Sequence, residues 1–139
     1  GDVRVRGRLI GGCIETLGNL AGTPFGRVSE LARSTGDPLI VYVEAANADA
    51  YEVCRTLHGM RLAGFFESAA AVLVGRTNAT DCADMNQYDA VIDALGGLGV
   101  PIIADVECGH VAPFMPLVNG ATAEVVATET QSQIRQTLA

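Results

Sequence analysis

The sequence predicts one α/β domain built on a mostly parallel sheet, and three observations carry that expectation. Segments 38–44 (P-L-I-V-Y-V-E), 69–76 (A-A-A-V-L-V-G-R) and 100–106 (V-P-I-I-A-D-V) have the continuous apolar, β-branched character of strands buried on both faces. Helix-like stretches separate them, so the chain alternates strand and helix, and parallel neighbours need such crossover connections. The chain of 139 residues is 49% hydrophobic and only 18% charged. A chain of that size buries roughly 68–70% of its unfolded surface and can hold a core without disulfide or metal staples.

Taken in order, R-L-I-G-G (8–12) is a short strand ending in paired glycines, and 14–20 and 27–33 form short helical turns. After the strand at 38–44, residues 48–63 place Val53, Cys54, Leu57 and Met60 at three- and four-residue spacing, the period of an amphipathic helix. Asn47 is its expected N-cap, with Asp49 and Glu52 in the first turn, where the helix dipole favours acids. Gly64 suits its C-terminal stop. A second helix spans 88–95, between the third and fourth strands, and G-G-L-G ends it. The stretch 121–128 alternates and predicts a fifth strand nearer the surface. No repeat or linker divides the chain, so residues 1–139 form one domain.

Composition excludes several classes of function. Nine arginines, no lysine and sixteen acids give a net charge of −7. Only R-V-R-G-R (4–8) clusters positive charge, which suits the polar side of an edge segment better than a nucleic-acid footprint. No apolar run nears the roughly 18 residues of a membrane span and the first residues are charged, so neither a membrane nor a signal peptide is expected. Cys13, Cys54, Cys82 and Cys108 form no C-x-x-C pair and are expected to be reduced, as in a cytoplasmic protein.

Chemistry concentrates in A-D-V-E-C-G-H (104–110), directly after a buried strand. His110 follows Gly109, which permits an unusual backbone angle, at a strand end where parallel sheets assemble sites. Glu44 ends an apolar strand and needs a donor to offset its desolvation. Bland readings are a structural histidine and a carboxylate in a salt bridge or helix cap. In the sharper one, Glu44 and His110, at the C-terminal ends of adjacent parallel strands, meet, and the carboxylate fixes the imidazole tautomer. A metal held by residues of the 105–110 run lacks ligand spacing, because Cys108 and His110 are too close to converge. Cys108 as a nucleophile lacks a cation or helix N-terminus to lower its pKa. His58, mid-helix beside a glycine, is read as a surface or packing histidine.

The sequence resembles the LD-carboxypeptidase family of serine peptidases, which includes murein tetrapeptide LD-carboxypeptidases and microcin C immunity proteins. The blocks are G-R-L-I-G-G-C-I-E-T-L (7–17), A-G-T-P-F-G (21–26), V-Y-V-E-A-A-N (41–47), L-H-G-M-R-L-A-G-F-F (57–66), V-L-V-G-R (72–76), D-V-E-C-G-H-V-A-P (105–113) and L-V-N-G-A (117–121). G-R-L-I-G-G-C and L-H-G-M-R-L-A-G are nearer the immunity-protein branch. The resemblance implies that Glu44 and His110, 66 residues apart, match the family's catalytic Glu and His. The serine nucleophile has no counterpart: Ser29, Ser34, Ser68 and Ser132 fall in none of the blocks and in no nucleophile elbow. Glu107 stands where many members have Asp. The chain therefore looks like the family's C-terminal domain, with the nucleophile-bearing N-terminal domain absent. The resemblance further implies a layered β/β/α fold and homodimers, and neither a cofactor nor a metal is expected. Its substrate would be a small murein peptide or an aminoacyl-nucleotide. A non-catalytic module that binds a ligand or protein partner is the rival expectation.

Overall fold

The computed structural model describes residues 1–138. Its order is β1 (Val3–Cys13), α1 (Ile14–Leu20), α2 (Ser29–Thr35), β2 (Leu39–Glu44), α3 (Ala50–Leu62), β3 (Ala69–Gly75), α4 (Gln87–Leu95), β4 (Ile102–Val106), β5 (Thr122–Ala127) and β6 (Ser132–Thr137). One six-stranded sheet runs β4-β3-β2-β1-β5-β6. The pairs β1–β2, β2–β3 and β3–β4 are parallel, whereas β1–β5 and β5–β6 are antiparallel. The sheet is thus a parallel body with an antiparallel flank.

β2 lies at its centre, and all six of its residues are buried. Side chains alternate across a strand. Leu39, Val41 and Val43 accordingly join a core with Val53, Leu57 and Met60 of α3 and with Ala90, Val91, Ala94 and Leu95 of α4. Ile40 and Tyr42 point the other way, into a second cluster with Leu9, Leu73, Val106, Cys108, Ala123 and Val125. Ile134 of β6 packs there too, so the curled sheet covers its own second face. That gives the layers in order: β, β, α. Full burial of each large aliphatic side chain stabilises by about 1.5–3 kcal/mol, so both faces of β2 contribute.

Several boundaries differ from expectation. β1 begins at Val3, not at residue 8, because V-R-V-R already alternates as a strand with one wet face. It is an interior strand, although its register with β2 starts only at Arg8, so residues 3–7 are bordered on the β5 side alone. The N-cap of α3 is Asp49, not Asn47. The Asp49 side chain accepts from Glu52 N–H and the Glu52 carboxylate from Asp49 N–H, a reciprocal capping box. Asn86 and Asp89 build the same device on α4. β6 was not foreseen: S-Q-I-R-Q-T has one apolar residue, and backbone pairing with β5 through the 128–131 turn forms it. Gly64, at φ 81°, does stop α3.

Candidate functional site

Glu44 ends β2 on the face that carries Ile40 and Tyr42, and only 6% of its side chain is exposed. Its partner arrives from the loop after β4. Glu44 and His110 were expected on adjacent strands, but β3 lies between β2 and β4. Two glycines close that distance. Gly75 ends β3, and a Cβ there would lie 2.7 Å from Glu44 Cβ and 2.8 Å from the Cys108 carbonyl oxygen. With no side chain at 75, the post-β4 loop crosses the tip of β3. Gly109, at φ 93°, then turns the chain so that His110 faces back to Glu44.

His110 Nδ1 lies 3.1 and 3.0 Å from the two Glu44 carboxylate oxygens. The carboxylate fixes the Nδ1–H tautomer and leaves Nε2 with its lone pair. The imidazole is 61% exposed while its partner is buried, so Nε2 is reachable from outside and the pair is fixed from inside. The Glu44 hydrogen bond, and then its charge, raise the His110 pKa above 6.5.

Beneath this pair Glu15, from the first turn of α1, fixes the chain that follows Glu44. Its Oε1 accepts from the backbone N–H groups of Ala46, Asn47 and Ala48 at 3.0, 2.9 and 2.9 Å. Its Oε2 accepts from the Cys13 thiol at 2.8 Å. Partial burial pushes the Glu15 carboxyl up, but these bonds outweigh it and hold the pKa at about 2. The same environment, burial first, pushes the Cys13 thiol up to about 11. Sequence reasoning missed Glu15. The sole signal was an acid three residues beyond the paired glycines at 11 and 12.

The rest of the 104–110 run shapes the loop. Asp105 adopts φ 58° where the β3–β4 register slips, and it accepts from the Tyr88 hydroxyl at 2.8 Å. Glu107 pairs with Arg76 at 3.5 Å, and Arg76 also donates to the Pro113 carbonyl. Cys108 is 3% exposed, and burial, reinforced by the Glu44 charge, pushes its thiol up to about 11. A protonated, enclosed thiol is a poor nucleophile. Asn119, three residues before β5, reaches β1, accepting from Gly11 N–H and donating to Gly11 C=O. The ligand atoms of Cys13, Glu44 and His110 lie within 4.8 Å of one another, the one grouping at this site that could hold a metal among the described residues. Beside Glu44 a cleft of about 440 Å³ opens at the C-terminal ends of β2, β3 and β4, bordered by Arg76, Thr77, Asn86, Tyr88 and Asp105. The serines lie elsewhere: Ser29 and Ser34 on α2, Ser68 before β3 and Ser132 on β6.

A Glu–His pair at the strand ends of this curled sheet invites comparison with known proteins. The family model of the LD-carboxypeptidase C-terminal domain matches residues 6–125. The chain belongs to the LD-carboxypeptidase family. It is 26% identical over 119 residues to the microcin C7 self-immunity protein of Escherichia coli, covering 84% of this chain and 33% of that protein. It is 30% identical over 125 residues to a carboxypeptidase-like protein of Streptomyces coelicolor, covering 89% and 38%. This LD-carboxypeptidase domain thus spans little more than a third of those relatives. Among solved structures, the muramoyltetrapeptide carboxypeptidase of Oxalobacter formigenes superposes with a TM-score of 0.76 at 21% identity, over 96% of this chain and 45% of that one. The wild-type apo immunity protein gives 0.72 at 23%, over 90% and 36%. At such identities these two matches establish the fold, which is that of LD-carboxypeptidase C-terminal domains.

Proposed function

We propose that this domain supplies the base and its orienting carboxylate to a Ser–Glu–His triad whose serine resides on a companion domain of the same protein. The observation that carries this reading is the exposed His110 held through Nδ1 by the buried Glu44. The serine Oγ attacks the carbonyl of an amide next to a free carboxylate while its proton passes to His110 Nε2. Nε2 then returns that proton to the leaving nitrogen as the C–N bond breaks. Water repeats the sequence on the acyl-serine, with His110 again taking and returning a proton. Glu44 stabilises the imidazolium formed at each transfer.

Two substrate classes fit this chemistry: a murein LD-peptide or an aminoacyl-nucleotide. The second draws on the immunity protein, which has been crystallised with aspartyl sulfamoyl adenosine. Each class is tested by hydrolysis of an L-lysyl-D-alanine peptide and of an aminoacyl-adenylate analogue by the protein that joins this domain to its serine. Turnover of either one that is lost with His110→Ala supports the triad. Binding of either compound without turnover supports a ligand-binding module instead.

A further inference from the structure

Helices α3 and α4 bring a thiol, an imidazole and a carboxylate to one point, away from Glu44 and His110. Cys54 and His58 stand four residues apart on α3 and therefore share a face. Asp93 meets them from α4. His58 Nε2 lies 2.8 Å from Asp93 Oδ2, and Cys54 Sγ lies 3.4 Å from the same oxygen. Ligand atoms of all three fall within 4.8 Å of one another.

These spacings suit a tetrahedral ion. Zinc bonds of about 2.3 Å to sulfur and about 2.0 Å to nitrogen and oxygen set a sulfur–oxygen edge of about 3.5 Å and a nitrogen–oxygen edge of about 3.3 Å. The sulfur–oxygen edge is already present, and the nitrogen–oxygen edge needs to open by about half an ångström. His58 and Asp93 are 33% and 60% exposed, so side-chain rotation supplies that opening and solvent supplies the ion. We propose that Cys54, His58 and Asp93 form a binding site for a divalent transition metal of the zinc class, with a fourth position left to water. A thiolate and an imidazole select such ions over magnesium or calcium.

The ion would join α3 to α4, the helices that cover one face of the sheet, and stabilise the fold in proportion to its concentration. Arg61 opposes it. Its Nη2 lies 3.2 Å from His58 Nδ1, and a metal on Nε2 requires Nδ1 to carry the proton, so the guanidinium must swing away. Arg61 therefore sets the affinity.

The test is titration of the 139-residue chain with cobalt(II), read by the sulfur-to-metal charge-transfer band, alongside thermal unfolding with and without zinc. One cobalt per chain, a band lost in Cys54→Ser, and binding weakened at least tenfold in Asp93→Asn and His58→Ala are expected. Zinc should raise the unfolding midpoint of the wild type but not of Asp93→Asn, an exposed position that leaves the core intact. Cys13→Ser, which breaks the other thiol cluster, should keep the band, and Arg61→Gln should bind more tightly. Absence of the band in the wild type overturns the proposal. So does a band that survives Cys54→Ser or disappears in Cys13→Ser.

Discussion

Gly109 lies so close to Glu44 that a methyl group at residue 109 would stand 2.5 Å from Oε2, the oxygen 3.0 Å from His110 Nδ1. The contact ties backbone conformation to site chemistry: only glycine allows both the left-handed turn and the approach of the imidazole. Gly109→Ala should destabilise the domain by about 1–3 kcal/mol through overpacking and positive-φ strain. It should also separate the pair. Urea denaturation measures the first effect, and return of the His110 pKa toward 6.5 by NMR titration reports the second.

Glu44→Gln tests the electrostatics at constant shape. The Glu44 hydrogen bond and charge raise the His110 pKa, so the amide should lower it. A raised histidine pKa means that the pair's contribution to stability is fully present below about 6.5 and is lost as pH rises through the folded-state value. Wild type and variant should therefore differ in stability at acidic pH and converge above that value. Equal His110 pKa values in the two proteins would contradict the assignment.

Glu15 governs a different pH range. Its carboxyl is held at about 2 by the Cys13 thiol and the Asn47 and Ala48 amides, against the upward push of burial. A depressed carboxylate contributes stability above its ordinary value of about 4.5, and loses it as pH falls through about 2. Glu15→Gln should cost about 1 kcal/mol near neutral pH, the modest value fitting its exposed position. That difference should vanish in strong acid. Paired urea titrations of wild type and variant across the range check it.

The isolated chain should hydrolyse neither test substrate, since loss of the nucleophile costs on the order of 10⁶ in comparable triads. Phe114, four residues beyond His110, is 63% exposed and Val118 is 41% exposed. An apolar loop beside the site favours association. Sedimentation should show concentration-dependent self-association that Phe114→Ser weakens. A clean monomer at high concentration would contradict this.

How far the sequence alone reached is clearest at particular residues. The buried strands and α3 were legible because apolar runs and 3.6-residue spacing are local signals. Glu44 stood out because a carboxylate ending L-I-V-Y-V needs a donor, and His110 because of the glycine before it. That the two meet across β3 was not legible. It depends on Gly75, whose role appears only once the loop is seen to pass over it. Glu15 was missed for a similar reason: its partners are backbone amides 31 to 33 residues away, and no side-chain pattern marks them. β6 was invisible because one isoleucine among polar residues carries no periodicity. Asn47 looked like a cap because Asn is a good one, but α3 starts only at Ala50, so the cap position falls to Asp49, whose side chain reaches Glu52 N–H.

The central claim, that His110 acts as the base oriented by Glu44, is tested most directly by kcat/KM in the protein that joins this domain to its serine. Histidine-to-alanine substitution at 110 should cost on the order of 10⁴–10⁶, and Glu44→Gln about 10²–10⁴ with the acidic limb of the pH profile moved to lower pH. A His110→Ala protein that cleaves its substrate within tenfold of wild type would contradict the account.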